Sequence, residues 1–181
     1  MRKIMFNDKF GLTRAVLECR KTQTRRTIPM RIVTMLRHSK DMLMSSDRTE
    51  EQISSVLSKY GETMYPYKTG DIVAIAQSYK DCEAEAFYWK ETPGWTNKMF
   101  VKANLMPHHI KIERVRVERV QDISKEDCLK EGVCQVSEGR YKIDGLNYIG
   151  YNPIAVYSLL IEKISKERGI RIHSYSSMTS R

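Results

Sequence analysis

Eight residues, Cys19-Arg20-Lys21-Thr22-Gln23-Thr24-Arg25-Arg26, place four cations and two hydroxyls side by side with no acid among them. Such a stretch can hold an anion and offer a hydroxyl nucleophile at one surface site. It can equally be a solvated charged face, the ordinary fate of a charge run. Lys21 and Thr24 stand three apart, so a turn-like backbone would bring them to one side and a regular strand would separate them. Glu131 stands at the last turn of a predicted helix, where the helix dipole disfavours a carboxylate. His108-His109 is a weak metal signal: neighbours on a strand point to opposite faces, and no third ligand is visible. No metal site and no cofactor is expected.

The charge distribution fits an anionic partner. The formal net charge is +9, and residues 1–40 carry eleven Lys/Arg against two Asp/Glu, while residues 41–181 carry twenty of each. The whole excess therefore lies around the basic stretch. Concentrated positive charge draws polyanions by Coulomb attraction and counterion release, which puts nucleic acid first among partners.

At 181 residues the chain is long enough to bury a real core, and 41% hydrophobic with 29% charged residues is the composition of a soluble globular protein. No apolar run reaches membrane-spanning length and no signal-peptide core opens the chain, so no membrane association is expected. Cys19, Cys82, Cys128 and Cys134 lack zinc-type pairing. They read as reduced thiols of a cytoplasmic protein.

The elements that must position the basic stretch can be read in order. Asn7 or Asp8 caps a helix to about Cys19, with Leu12, Val16 and Leu17 on or near its inner face. Residues 30–48 are rich in Met and Arg and poorly periodic. Thr49 with Gln52 forms a capping-box pattern before the apolar face Ile53, Val56, Leu57 and Tyr60. Tyr67-Lys68-Thr69-Gly70-Asp71 reads as a turn before a strand at Ile72–Ala76. A long connection follows from Tyr79 to Phe100. Nine of the sixteen aromatics fall between residues 60 and 100, either as stacking platforms for bases or as packing for a long loop. Residues 110–120 alternate with one slip in phase, the pattern of a long bulged strand. Ser124 starts a short helix ending at Gly132, and Asn152-Pro153 starts one running to about Arg168 with Val156, Leu159, Leu160 and Ile164 inward.

Four pieces, in this order, resemble the ASCH family of the PUA-like superfamily: Cys19–Arg26, Tyr67–Ile75, Met106-Pro107 leading into 110–120, and Asp122–Gly132. They make up 43 of the 181 residues, and the resemblance is to the longer versions common in phages and gut bacteria. It implies an α+β fold: a small PUA-like mixed β-barrel with flanking helices, as a single domain over residues 1–169 with insertions at about 30–65 and 79–105. It also implies RNA or nucleotide binding in a basic cleft, through Arg20, Lys21, Arg25 and Arg26. A related bacterial acetylcytidine amidohydrolase is similar at positions matching Lys21, Thr24 and Glu131. There Lys21 would accept the Thr24 proton, Thr24 would attack an amide carbonyl and Glu131 would protonate the leaving amine. Two residues depart from the pattern: Cys19 replaces a glycine, and Gln77 stands where longer relatives carry a glutamate.

The resemblance stops near Gly169. Residues 170–181 are polar and serine-rich, where longer relatives have an aromatic, β-branched strand that completes the barrel. Codons chosen for 168–181 can encode such a strand when read two nucleotides on, so a frameshifted end is expected. A barrel lacking that strand keeps an open edge, through which a homodimer could form.

Overall fold

The computed structural model describes residues 1–26, 66–82, 90–116 and 120–167, with isolated positions between 34 and 63. The chain is α+β. Its residues cluster into two compact units: Met1–Asn7 with Arg25–Asp122, and Asp8–Thr24 with Ile123–Arg181.

In the first unit, β1 (Arg2–Ile4) pairs in parallel with β2 (Ile72–Ile75), and β2 pairs antiparallel with β3 (His109–Lys111). Among the described residues this three-stranded sheet does not close into a barrel. Val73 and Ile75 are buried where β2 lies between its two partners. The turn before it forms as expected: Lys68 N–H donates to Asp71 Oδ2 at 2.8 Å, and Asp71 N–H returns to the Lys68 carbonyl at 3.1 Å. Of the long strand expected over 110–120, only the start is strand: residues 112–116 are not, and 117–119 lie outside the described residues. Its ladder ends with the exchange between Ile112 and the Gly70-Asp71 turn, because β2 reaches no further and a strand without a neighbour has nothing to bond.

After Tyr79, residues 90–106 form a packed loop with three 3-10 turns, Pro93–Trp95, Lys98–Phe100 and Ala103–Leu105. Tyr79, Val101 and Met106 are buried with Ala74 and Ala76, and Trp95 packs against them. Gly94 makes this packing possible, since a Cβ there would lie 2.5 Å from the Tyr79 ring. Packing thus claims Tyr79 and Trp95. Phe100 does not follow them: it is 61% exposed. The Thr49–Gln52 capping box forms reciprocally, at 3.1 and 3.3 Å, and Gln52, Ser55, Val56, Lys59 and Thr63 are helical; Val56, expected on the apolar face, is exposed, while Ile53, Leu57 and Tyr60 lie outside the described residues.

In the second unit a 3-10 turn, Asp8–Phe10, precedes α1 (Leu12–Leu17). The helix begins later than the sequence suggests. Gly11 takes the N-cap position at φ 61°, while Asp8 accepts a hydrogen bond from the Thr13 hydroxyl. α2 (Lys125–Lys130) has the expected cap, with Ser124 Oγ accepting from Asp127 N–H at 3.0 Å. The meander β4 (Cys134–Ser137), β5 (Arg140–Lys142) and β6 (Ile149–Gly150) is antiparallel throughout. α3 (Pro153–Glu167) starts where Asn152 Oδ1 accepts from Ile154 N–H at 3.0 Å. It buries Val156, Tyr157 and Leu160, whereas Leu159 and Ile164 are half-buried. The polar tail and its expected second reading frame lie outside the described residues. No described helix is long and apolar enough to cross a membrane.

Candidate functional site

α1 and α2 end in the same way, and their ends build the site. At each, the C-cap residue is a glutamate, Glu18 or Glu131, and the next residue has positive φ: Cys19 at 57° and Gly132 at 106°. Arg20 N–H reaches the Ala15 carbonyl at 2.9 Å and Cys19 N–H reaches Val16 at 3.0 Å, while Val133 and Gly132 N–H reach Cys128 and Leu129 at 3.1 and 3.0 Å. Both are Schellman closures, which satisfy last-turn carbonyls and call for a left-handed residue at this position. Glycine meets that demand freely. A residue with a Cβ strains against its own carbonyl there by about 1–2 kcal/mol. Cys19 therefore occupies a conformation that glycine ordinarily takes.

Beyond Cys19 the chain crosses to the end of α2. The N–H groups of Thr22 and Gln23 both donate to the Lys130 carbonyl at 2.9 Å. Lys21, between them and α1, turns inward. Its Nζ donates to Glu131 Oε2 at 2.6 Å and to the Glu131 carbonyl at 2.9 Å, with both side chains 3% exposed or less. The unfavourable carboxylate at the end of α2 is thus answered by an ammonium that neutralises it and also caps the helix.

The structure joins Lys21 and Glu131 in a buried pair, whereas Thr24 is exposed. Arg20 lies along the surface, with Nη2 2.7 Å from Glu18 Oε2 and 3.7 Å from Asp144 Oδ2, and Nη1 3.1 Å from Cys134 Sγ. The Glu18 hydrogen bond pushes the Arg20 pKa up. In return, hydrogen bonds first from Arg14 and then from Arg20 hold the Glu18 carboxyl below its ordinary value. Asp144 has no signal in the sequence as a partner of Arg20, because only the fold brings them together.

Arg25 and Arg26 belong to the first unit and are half-buried. Arg26 Nη2 donates to the Met5 carbonyl at 2.6 Å, and its guanidinium lies 6.0 Å from the centre of the Phe6 ring. Lys3, absent from the sequence candidates, sends its ammonium to the carbonyls of Met99 and Val101, both at 2.7 Å. Gln77 is buried, and its Oε1 accepts from His108 Nδ1–H at 2.8 Å, in the imidazole tautomer that carries its proton there. Among the described residues no three His, Cys, Asp or Glu side chains gather as metal ligands would. No family model matches this chain, and neither the curated proteins nor the solved structures contain a significant match to it.

Proposed function

We propose that this chain is an ASCH-type, PUA-like domain that binds RNA or a nucleotide. The observation that carries the binding is how Lys3 and Arg26 are held. Their hydrogen bonds run to main-chain carbonyls, which are neutral, so the first unit keeps the positive charge that its N-terminal sequence supplies. Fixed cations on neutral acceptors are suited to an anionic ligand. The family assignment draws support from Cys19 in a glycine conformation, from the Tyr67–Asp71 turn feeding β2, and from α2 ending in Glu131-Gly132. Lys21 serves this function by anchoring the stretch, since a phosphate would meet its ammonium only if Glu131 released it.

The test is titration of labelled single-stranded RNA at several salt concentrations. Affinity is expected to fall steeply with salt, and Arg26→Ala to reduce the log–log slope by about 0.7, one phosphate contact's share for a single strand. Binding that is absent in the wild type, or a slope unmoved by Arg26→Ala, would reject the proposal.

The buried Lys21–Glu131 pair favours a second reading, an amidohydrolase acting on an acylated nucleoside. If the Lys21 proton passes to Glu131, the neutral amine can take the proton of a Thr24 hydroxyl swung toward it. Thr24 Oγ then attacks the amide carbonyl, protonated Glu131 gives its proton to the departing amine, and water releases the acyl group from Thr24. Incubation with acetylcytidine should yield cytidine and acetate, and Thr24→Ala should yield neither. No cytidine from the wild type, or full activity in Thr24→Ala, would dismiss this reading.

A further inference from the structure

The aromatic-rich connection in the first unit ends in a side chain that the core does not use. Phe100 is 61% exposed, between Met99 at 62% and the buried Val101. Its backbone is nonetheless fixed on both sides. Lys3 Nζ bridges the carbonyls of Met99 and Val101, Phe100 N–H donates to the Asn97 carbonyl at 3.1 Å, and Asn97 Oδ1 accepts from Met99 N–H at 2.9 Å. Lys98 Nζ further ties the turn to the Phe6 carbonyl of the same unit. A large ring held toward water on a pinned backbone keeps its apolar face wet, at a cost that a ligand covering it would recover.

The chemistry around the ring selects the occupant. From Thr92 to Ile112 the chain carries three lysines, Lys98, Lys102 and Lys111, and no acid; Met1–Asn7 carries Arg2 and Lys3 and no acid. Lys98 and Lys102 each stand two residues from Phe100. An exposed ring on a segment whose sequence carries cations and no acid matches a strand of phosphates with an accessible base, whereas a protein partner docking by apolar contact would have to cover those charges.

We infer that Phe100 is a stacking platform for an unpaired base, and that the Phe100 face binds single-stranded RNA, with Lys98 and Lys102 beside the backbone phosphates. The inference rests on the RNA-binding reading and narrows it to unpaired strands. Duplex RNA offers no base face to the ring.

The experiment is fluorescence anisotropy with a short fluorescein-labelled single-stranded oligoribonucleotide, and the same strand annealed to its complement. Phe100→Ala and Phe100→Leu should each weaken single-strand binding by about 5- to 150-fold, the usual range for one stacked base. Phe100→Trp should bind at least as tightly as the wild type. Because none of these removes a cation, the salt slope should stay the same, while Lys102→Gln should lower it by about 0.7. Phe100 is exposed, so these variants keep the core, and unchanged near-ultraviolet circular dichroism would establish that. Wild-type binding that Phe100→Ala and Phe100→Leu leave intact would overturn the platform while sparing the RNA-binding reading. No binding by the wild type would overturn both. Sedimentation is the further arm: concentration-dependent self-association that Phe100→Ala abolishes, with RNA affinity unchanged, would assign the face to a second copy of the chain instead.

Discussion

Removing one member of the Lys21–Glu131 pair should cost far more than removing both. The pair is 2.6 Å apart with both side chains at most 3% exposed, so neither charge can turn to water when its partner is lost. Breaking a buried pair from one side typically costs about 3–5 kcal/mol, because the remaining charge is left uncompensated. Lys21→Met removes the ammonium from the Glu131 carboxylate and from the Glu131 carbonyl. Glu131→Leu removes the carboxylate but keeps the ammonium's bond to the residue-131 carbonyl, and should fall at the lower end of that range. Lys21→Met with Glu131→Leu replaces both by apolar side chains of similar size, a change that ranges from neutral to stabilising for such pairs. The assay is urea unfolding of the wild type, the two single variants and the double variant. With a slope of about 2 kcal/mol per molar, a loss of about 4 kcal/mol lowers the midpoint by about 2 M. The double variant should lie near the wild type, giving a coupling energy above about 2 kcal/mol. Single variants within about 0.5 kcal/mol of the wild type, or a double variant equal to the sum of the singles, would refute the reasoning that burial makes this pair an all-or-none unit.

Cys19→Gly should stabilise the protein by about 0.5–1 kcal/mol, because relief of the left-handed strain at φ 57° exceeds the extra freedom glycine brings to the unfolded chain; equal or lower stability in urea would contradict this. Gly94→Ala should destabilise by about 1–3 kcal/mol, since its Cβ would meet the buried Tyr79 ring at 2.5 Å, and an unchanged thermal midpoint would show that the ring can yield freely. The Glu18 carboxyl, held low by Arg14 and Arg20, should titrate below the ordinary glutamate value by NMR, and Arg14→Ala should move it upward. Any stability from that contact is present above the unfolded-state pKa and disappears as pH falls through the lowered native one. A Glu18 titration identical in Arg14→Ala would remove the assigned cause.

Local signals in the sequence were legible wherever one turn of chain decides the outcome. Ser124, Asn152-Pro153, the Tyr67–Asp71 turn and the Thr49–Gln52 box all form through bonds spanning five residues or fewer. Lys21 and Glu131, singled out by family resemblance and by an awkward helix-end carboxylate, do meet. Their depth was not legible, because a lysine within a run of cations reads as solvated until the end of α2 is seen to cover it. The start of α1 was misplaced because Asp8 spends its carboxylate on Thr13 rather than on a helix N-terminus. The strand over 110–120 was overread because alternation marks which faces a segment can present, not whether a neighbour exists to bond it. The link from Lys3 to Met99 and Val101, across 96 and 98 residues, leaves no trace in local sequence. The split role of the aromatics, with Tyr79 inside and Phe100 outside, is likewise decided by packing around Gly94 and not by composition.

The proposed RNA binding is tested most directly by photo-crosslinking the protein to single-stranded RNA carrying 4-thiouridine, followed by mass spectrometry of the linked peptides. The expected crosslinks lie in Met1–Asn7, at Arg25 and Arg26, and in residues 92–112, and they should fade as salt is raised. Absence of crosslinks at low salt, or crosslinks confined to the meander and α3 at residues 134–167, would contradict the assignment of RNA binding to the cationic surface of the first unit.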